Sequence, residues 1–495
     1  MRTESLLRLL SREEMESIHS FAIRILSSIG VEIKHEKAIS LLRAGGCSVK
    51  GKWRITIPEN IAEDVIRKVA GYKPKIYQRG SRKEVGLDEE PFINPSPVRP
   101  PSLGVGNEGC LFVLDVGADE RRDATLDDIG KAALIADTLE NVKVLSIPMT
   151  PVDAPLETRE LHSLIQLLSN SNKPILFGGI PTNTHTLKTA KYTIEVIKVL
   201  NGEEEMKRPS VDVLLEAVSP LKYDTHELDF IMACAEMGVM NYHVASMPVL
   251  GMTGPMSIPA SIAQSIAEII PGVYLIQLIN PELKVSMSMD VIPCDARTLH
   301  HVYGSPETTI IGLAETQLLR EFYNILVWGG RSFRSDAKFP GIQTAFEKGV
   351  TGTLALLAGA SGFGNGGVID GDMLFSFEQL VIDDEFISLM KPIAKGVKVD
   401  EGDFNLKMLE KAIEKDHYFL ADEMTLKRLR EIVYVSKLFD RGRYQDWFVQ
   451  GKKTVRSKAM SRVQEILKEH RPEGVDEDMI KRLRLIVKEA DKDYS

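Results

Sequence analysis

The sequence predicts an α/β protein whose main part is a (β/α)8 TIM barrel, with an N-terminal α+β cap and a C-terminal helical extension. Short apolar runs alternate with longer amphipathic runs over residues 96–400, which is the pattern of parallel β/α units. Eight such short runs are present, and eight is the number of strands that closes a parallel barrel. The length of 495 residues suits one large barrel with terminal additions. A doubly wound open sheet fits the same alternation and is the alternative.

The N-terminal cap is predicted to span residues 1–95. Ser11 is placed to cap a first helix, because three glutamates follow it within five residues and apolar residues then recur at helical spacing. The run Trp53–Ile57 predicts a strand, and Pro58–Val69 predicts a helix that begins at proline. Five prolines between residues 88 and 101 mark the boundary between the cap and the barrel.

The barrel is predicted to occupy residues 96–400. Its predicted strands are Ser102–Val105, Val142–Ile147, Pro174–Phe177, Val211–Leu215, Met240–Ala245, Lys284–Met289, Ile325–Trp328 and Ser361–Gly364. Its predicted helices are Leu126–Leu139, Glu157–Leu168, Leu187–Leu200, Thr225–Met237, Ile258–Ile279, Thr308–Phe322, Gly341–Ala358 and Phe375–Met390. Residues 401–495 are highly charged, show helical spacing and are predicted to form the extension. The aromatic residues in its stretch KLFDRGRYQDWFVQG need a surface to pack on, either the barrel or a partner protein.

The composition excludes several classes of protein. The formal net charge is −9 and no dense Lys/Arg tract is present, whereas a nucleic-acid binder needs a basic face. The four cysteines are far apart, without a C-x-x-C pair, which excludes a zinc ribbon and a disulfide scaffold. The histidines lack metal-ligand spacing, so no metal site is expected. No signal peptide or membrane-spanning run is evident, and a cytoplasmic protein is expected.

The reactive groups of a parallel barrel lie at the C-terminal ends of its strands and in the loops that follow them. This rule selects two glycine-rich stretches, residues 104–109 and 362–367, which lack the lysine and acidic partners of nucleotide-binding loops. It also selects Glu216 and the segment 331–338, which holds two arginines, a lysine and an aspartate. A solvated loop with internal ion pairs is the alternative for that segment.

A series of sequence blocks identifies a family. The blocks are GVGNEGCLFVLDVGADERRDAT (104–125), NSNKPI (170–175), SPL (219–221), GMTGP (251–255), YGSPE (303–307), SDAKFP (335–340), EK (347–348), LAGA (357–360), FEQLVIDDE (377–385) and KLFDRGRYQDW (437–447). With these blocks in this order, the chain resembles the trimethylamine:corrinoid methyltransferase family and its relatives that act on quaternary amines. The resemblance implies a (β/α)8 barrel, no metal or permanently bound cofactor, and a separate corrinoid (cobalamin) protein as the methyl acceptor. A homo-oligomer is expected.

Two departures from the family concern the substrate. Trimethylamine-specific members carry pyrrolysine just before the S-D-A-K segment, where this chain has Arg334. Because trimethylamine must be activated by pyrrolysine, a betaine-like quaternary amine is predicted instead, with its carboxylate bound by Arg334. Gly364 replaces a family aromatic residue, which widens the pocket or changes the ligand. Trimethylamine or another methylated amine remains the alternative substrate, and a non-catalytic relative that binds methylated amines is the alternative function.

The candidate site residues fall into three groups. The candidate catalytic residues are Arg334, Asp336 and Glu216. The candidate substrate-binding residues are Arg331, Phe333, Phe363, Tyr303, His243 and Phe177, most of them chosen as aromatic faces for a cation. The candidate corrinoid-facing rim is Gly104, Asn107, Gly330, Gly364, Asn365 and Gly366, where small residues leave room for a large planar ring. A lyase or hydrolase that uses the three catalytic candidates without a corrinoid is the competing enzyme.

Overall fold

The computed structural model describes residues 7–71, 75–77, 84–86, 102–105, 109–175, 187–201, 212–325, 333–360, 362–397, 399–414, 418–420, 423–473 and 476–494. Within these ranges the chain is a mixed α/β protein in which helices and strands alternate. The predicted boundary between cap and barrel, at residue 95, lies outside them.

The N-terminal segment, residues 7–71, forms three helices and three strands. They are α1 (Arg12–Arg24), β1 (Val31–Ile33), α2 (Glu36–Ala44), β2 (Ser48–Lys50), β3 (Arg54–Thr56) and α3 (Glu59–Val69). A π-helix over Ile25–Ile29 continues α1. The predicted cap of α1 is confirmed, because Ser11 Oγ accepts from Glu14 N at 3.2 Å and Ser11 N donates to Glu14 Oε2 at 2.7 Å. Two further strands, β4 (Lys75–Tyr77) and β5 (Glu84–Gly86), pair antiparallel.

The middle of the chain alternates strands with helices, as predicted. Its strands are β6 (Ser102–Val105), β7 (Phe112–Leu114), β8 (Arg121–Asp123), β9 (Val142–Leu145), β10 (Asp212–Ala217), β11 (Lys222–Tyr223), β12 (Asn241–Ser246), β13 (Lys284–Met289), β14 (Gly362–Gly366), β15 (Val368–Ile369) and β16 (Leu374–Ser376). Its helices are α4 (Leu126–Thr138), α5 (Arg159–Asn170), α6 (Leu187–Asn201), α7 (Thr225–Glu236), α8 (Ile258–Ile279), α9 (Pro306–Gln317), α10 (Ile342–Ala358) and α11 (Phe377–Lys395). A π-helix over Leu318–Phe322 continues α9.

The long strands form two parallel arcs. One arc has the order β14-β6-β9, and the other has the order β10-β12-β13. A parallel bridge between Leu145 and Ile175 places the start of the next predicted strand beside β9. In the first arc, β14 is the last predicted strand and pairs with β6, the first one, through Phe363 and Leu103. Closure of a barrel requires such a pairing. The pairings that would join the two arcs lie outside the described residues, so the closed barrel remains a prediction.

A small sheet of short strands lies beyond the ends of β6 and β14. Its order is β15-β16-β7-β8, with β16 and β7 parallel and the outer pairs antiparallel. Sequence analysis did not predict these strands, because runs of two or three residues are too short to show an alternating pattern. The sheet connects the segment that follows β6 with the segment that follows β14.

Each arc shares its hydrophobic core with a terminal segment. The N-terminal segment packs on α8, and their buried residues form one cluster with those of β10, β12 and β13. By length and composition α8 could cross a membrane, but 83% of its apolar window is buried inside the protein. Gly272 lets α8 approach the sheet closely, since a Cβ there would lie 3.0 Å from Leu215 and Val244.

The C-terminal extension is helical. It comprises a 3-10 helix at Glu401–Asp403 and the helices α12 (Leu406–Glu414), α13 (Glu423–Ile432), α14 (Tyr444–Val449), α15 (Val455–Glu469) and α16 (Glu477–Tyr494). The last two helices pack on α4, α5, α6 and α11, and their buried residues Val463 and Leu483 belong to the core of the arc β14-β6-β9. The domain limits at 95 and 400 remain a prediction, since both terminal segments share a core with the middle of the chain.

Candidate active site

Arg334 lies inside the protein, in the loop that precedes α10. The residue is 4% exposed. Its Nη1 donates to Asp372 Oδ2 at 2.7 Å, and its guanidinium carbon lies 4.7 Å from the centroid of the Tyr303 ring. Burial lowers the pKa of Arg334, and the Asp372 carboxylate opposes that shift. Because arginine is the most basic of the side chains and stays protonated in proteins, Arg334 keeps its charge. A buried, charged guanidinium stacked on an aromatic ring is suited to bind a carboxylate.

Asp372 was not among the candidate residues, yet it is the ion-pair partner of Arg334. It lies in the turn between β15 and β16 with a φ of 79°. Its Oδ2 accepts from Arg334, whereas its buried Oδ1 has no hydrogen-bond partner among the described residues. A buried carboxylate oxygen without a donor is costly, so a ligand or a water would supply one here. The only signal in the sequence is the turn-forming run Asp370-Gly371-Asp372.

Strained backbone is concentrated around this ion pair. Four non-glycine residues in or after the last two predicted strands have positive φ: Phe333 at 76°, Asn365 at 64°, Asp370 at 54° and Asp372 at 79°. Such conformations are uncommon outside glycine, cost about 1 kcal/mol or more each, and cluster at active sites. Their concentration supports the choice of this end of the arcs as the functional one.

Asp336 stabilises the loop that contains Tyr303 through hydrogen bonds to its backbone. Its carboxylate accepts hydrogen bonds from the backbone N–H groups of Tyr303, at 3.0 and 3.1 Å, and of Gly304, at 2.8 Å. Burial raises the pKa of Asp336, although these hydrogen bonds oppose the shift. Tyr303 also packs on Val249 and Ile292, which follow β12 and β13. Through Tyr303, therefore, Arg334 is connected to the ends of both strands.

Phe333, which precedes Arg334 in the chain, packs against Phe363. Both are fully buried, with ring centroids 5.4 Å apart. The Lys348 ammonium lies 5.1 Å from the Phe333 ring and donates to Asp383 Oδ2 at 2.7 Å. Burial lowers the pKa of Lys348 and raises that of Asp383, and their mutual attraction opposes both shifts. The face of Phe333 is thus occupied by a side chain of the protein itself, and contact of either ring with substrate remains a prediction.

Four candidates for the corrinoid-facing rim lie within the described residues, three of them in β14. Asn365 is 2% exposed, and Gly366 is buried. Among the described residues, a Cβ at Gly364 would meet no atom within 4 Å, so space adjoins Gly364 on that side. Gly104 lies in β6, paired with Val144 of β9. The remaining rim and substrate-binding candidates, Asn107, Phe177, Gly330 and Arg331, lie outside the described residues.

The arc β10-β12-β13 has one polar face, which we call the interior face. It is formed by Leu214, Glu216, His243, Ser286 and Ser288, all of them partly exposed. The alternating residues of these strands are buried in the core shared with α8, so the interior face points away from that helix. Glu216 lies near the C-terminal end of β10, opposite Ala245.

His243 is held at the centre of the interior face. Its Nδ1 lies 2.8 Å from Ser286 Oγ, and its Nε2 lies 2.9 Å from Ser288 Oγ. Burial lowers the pKa of His243 to about 4, so the ring is neutral near pH 7. Ser288 Oγ donates to Asp290 Oδ2 at 3.2 Å. Among the residues that the structure describes, no group of three or more His, Cys, Asp or Glu side chains is placed to hold a metal ion.

Comparison with known proteins supplies a family. The family described as "Trimethylamine methyltransferase (MTTB)" matches residues 1–493. The chain is 28% identical to trimethylamine methyltransferase MttB of Methanosarcina barkeri, covering 99% of this chain and 96% of that protein. It is 27% identical to glycine betaine methyltransferase of Desulfitobacterium hafniense, covering 98% and 97%. Among solved structures, the hydroxylamine complex of MtmB matches with a TM-score of 0.44 and 12% identity, covering 92% of this chain and 94% of that one.

Proposed function

This chain belongs to the trimethylamine methyltransferase family, and from that premise we propose that it moves a methyl group from a quaternary ammonium carboxylate, such as glycine betaine, to the Co(I) corrinoid of a partner protein. Membership of the family makes it a methyltransferase. The substrate, the acceptor and the partner are the proposal. The closed (β/α)8 barrel, a homo-oligomer and a cytoplasmic location belong to the same proposal.

The proposed reaction is a displacement at carbon. A quaternary ammonium has no proton to lose, so a general base cannot activate it. The C–N bond breaks as the carbon–cobalt bond forms, and the electron pair of the C–N bond leaves on the tertiary amine. The acceptor must be a strong nucleophile, which Co(I) of the second substrate supplies. The protein has to bind the zwitterion, exclude water and hold the methyl carbon in line with the cobalt.

Arg334 is the observation that carries the choice of substrate. The identities to a trimethylamine enzyme and to a glycine betaine enzyme are 28% and 27%, so overall similarity does not distinguish the two substrates. Arg334 is buried, charged and stacked on Tyr303, and a permanent cation of this kind recognises a carboxylate. Trimethylamine lacks a carboxylate, whereas a betaine carries one.

Asp372 affects how Arg334 can distinguish between substrates. An unpaired Arg334 would repel any cationic substrate, but the ion pair with Asp372 nearly cancels its charge. Selection for a carboxylated substrate must then come from hydrogen bonds to the guanidinium rather than from repulsion of simple alkylammonium ions. Glu216 on the interior face is the proposed partner for the ammonium end.

The corrinoid would approach the rim at the end of β14. The space beside Gly364, free of other described residues, supports this side of the chain as its entrance. The partner protein would carry the corrinoid, because the chain itself is proposed to bind none permanently.

A methylation assay tests the proposed function. The chain is mixed with a reduced corrinoid protein and a panel of betaines, trimethylamine and tetramethylammonium, and methyl-cobalt formation is followed by absorbance. We expect methylation with glycine betaine-like substrates and none with trimethylamine. Turnover without the corrinoid protein would favour a lyase or hydrolase, and binding without methylation would favour a non-catalytic relative.

Arg334→Ala should raise the KM for a carboxylated substrate by roughly 10- to 100-fold, since one charge-assisted contact is lost. Arg334→Lys should recover only part of this loss, because an ammonium cannot form the same two parallel hydrogen bonds. Arg297→Ala is the matched control, as the Arg297 side chain is 87% exposed. Unchanged kinetics for Arg334→Ala would remove the assignment.

A further inference from the structure

We infer that Glu347 and Thr351 of α10 are positioning residues, which hold the backbone on both sides of Arg334 and so place its guanidinium for the substrate carboxylate. The inference rests on the proposed function, because it concerns how Arg334 is prepared to bind that carboxylate. The two residues are four apart on the helix and therefore lie on one face of it. Neither of them is proposed to contact the substrate.

Thr351 holds the residue before Arg334. Its Oγ1 accepts from Phe333 N–H at 3.1 Å and donates to Glu347 O, in the preceding turn of the helix, at 2.7 Å. The hydroxyl thus has a donor and an acceptor, which fix its direction. Phe333 has a φ of 76°, a conformation that persists only where surrounding contacts enforce it. Gly352 leaves room for its ring, since a Cβ there would lie 2.8 Å from Phe333 Cδ2.

Glu347 holds the two residues after Arg334. Its Oε2 accepts from Ser335 Oγ at 2.6 Å and from Asp336 N–H at 2.8 Å. Its Oε1 accepts from Gln343 Nε2, one turn earlier on the helix, at 2.7 Å. Both carboxylate oxygens therefore have donors, which fix the orientation of the carboxylate. The backbone that follows Arg334 is thus bound to the same helix as the backbone that precedes it.

Glu347 also contacts the loop that contains Tyr303. A Cβ at Gly304 would overlap the Glu347 carboxylate, so this carboxylate packs directly on the glycine. The Asp336 side chain in turn accepts from Tyr303 N–H at 3.0 Å and from Gly304 N–H at 2.8 Å. The Tyr303 ring and the Arg334 guanidinium that stacks on it are therefore aligned by contacts that meet at Glu347.

The turn between β15 and β16 also holds this segment. Gly371 N–H donates to Ser335 O at 3.0 Å, and Asp370 N–H donates to Ala337 O at 2.9 Å. The backbone around Arg334 is thus bound both to α10 and to this turn. A displacement of about 1 Å in a binding group can cost roughly 100-fold in rate, so the contacts that fix this backbone matter for recognition as well as for folding.

A double-mutant cycle tests whether Glu347 acts through Arg334. Calorimetry measures the binding of glycine betaine to the full chain and its variants. Glu347→Ala should weaken binding by roughly tenfold when Arg334 is present. In the Arg334→Ala background it should weaken binding by less than about twofold, because the guanidinium that Glu347 positions is absent. Glu347→Gln should stay within about threefold of the unaltered chain, since its amide oxygen still accepts from Ser335 and Asp336.

Thr351→Val is the second variant, and Thr344→Val is its matched control. Both hydroxyls are buried on α10, but Thr344 Oγ1 donates to Phe339 O at 3.0 Å, five residues after Arg334. Thr351→Val should weaken betaine binding by roughly three- to tenfold, whereas Thr344→Val should leave it within about twofold. Thr351→Ser, which retains the hydroxyl, should restore binding.

Several outcomes would overturn this inference while leaving the role of Arg334 intact. They are equal weakening by Glu347→Ala with and without Arg334, unchanged binding in Glu347→Ala, and equal effects of Thr351→Val and Thr344→Val. If Glu347→Ala does not fold, as shown by circular dichroism, the same cycle with Thr351→Val and Arg334→Ala decides. Failure of the unaltered chain to bind betaine would overturn both this inference and the proposed function.

Discussion

At the scale of single residues, the Arg334–Asp372 pair is the centre of the site. The Arg334 side chain is 5% exposed, and the Asp372 side chain is 13% exposed. Removal of one partner from such a buried ion pair strongly destabilises the folded protein, because the other charge is then left without compensation. Asp372 both fixes the orientation of the guanidinium and reduces its net charge.

Asp372→Asn should therefore damage stability and binding together. We expect a loss of about 3 kcal/mol in the free energy of unfolding, measured by chemical denaturation, and a KM for betaine raised by roughly tenfold. Asp370→Asn is the neighbouring control: Asp370 pairs with Lys338 and Arg121, whose side chains are 68% and 50% exposed, so it should cost less than about 1 kcal/mol. Equal effects of the two substitutions would contradict the central role of Asp372.

His243 makes a specific prediction about pH. Its pKa is about 4 in the folded chain, against an ordinary value of 6.5. Between these values the unfolded chain binds a proton that the folded chain does not, so stability falls as the pH drops from 6.5 to 4, by at most about 1.4 kcal/mol per pH unit. Above pH 6.5 neither the folded nor the unfolded chain binds this proton, so His243 adds no pH dependence to the free energy of unfolding. In His243→Gln the pH dependence of the unfolding free energy should be flatter over that window, and parallel curves would refute the shift.

At the scale of elements, buried carboxylates on helices hold the loops that follow the strands. Glu268 on α8 accepts from Ser219 Oγ at 2.6 Å and from Leu221 N at 2.8 Å, after β10. Asp383 on α11 accepts from Gly367 N at 2.8 Å, after β14. Each bond crosses from a helix to a loop and so fixes where the loop begins.

The described strands and helices of the predicted barrel were recognisable from the sequence, because they are long enough to show their periodicity. The bounds of Ser102–Val105, Lys284–Met289 and Ile258–Ile279 agree with the structure residue for residue. Asp372 and Asp383 were missed for a different reason. Their ion-pair partners are distant in sequence, and the sequence pattern does not show whether a single acidic residue is buried or exposed.

The Lys348–Asp383 pair tests how such an internal ion pair acts. Lys348→Met alone should cost about 3–5 kcal/mol, because Asp383 is left charged and buried. Adding Asp383→Asn should recover part of this cost, which a double-mutant cycle by denaturation measures. Lys481→Met is the control, since that lysine pairs with Asp478 at side-chain exposures of 68% and 89%. An additive double mutant would mean that the two charges do not depend on each other.

At the scale of the whole molecule, both terminal segments complete the cores of the arcs. Leu26 in the N-terminal segment and Leu215 in β10 are fully buried in one cluster, and Leu483 in α16 belongs to the other. Sequence analysis predicted a cap and an extension, but it could not predict this sharing, because amphipathic periodicity shows that a face is buried without showing against what.

Shared cores predict cooperative unfolding. Leu26→Ala and Leu215→Ala should each cost about 2–5 kcal/mol and shift the same transition, followed by circular dichroism and by tryptophan fluorescence. The exposed Leu485, at 66%, provides a control that should change little. A separate early transition for Leu26→Ala would show that the N-terminal segment unfolds independently.

The packing of α8 has a consequence for how the chain is made. The helix is apolar enough to be mistaken for a membrane anchor while it emerges from the ribosome. Helices α1, α2 and α3, which cover it in the finished protein, are all synthesised earlier. The helices that bury α8 are thus already part of the nascent chain when α8 is synthesised, and the apolar helix can be covered as soon as it emerges.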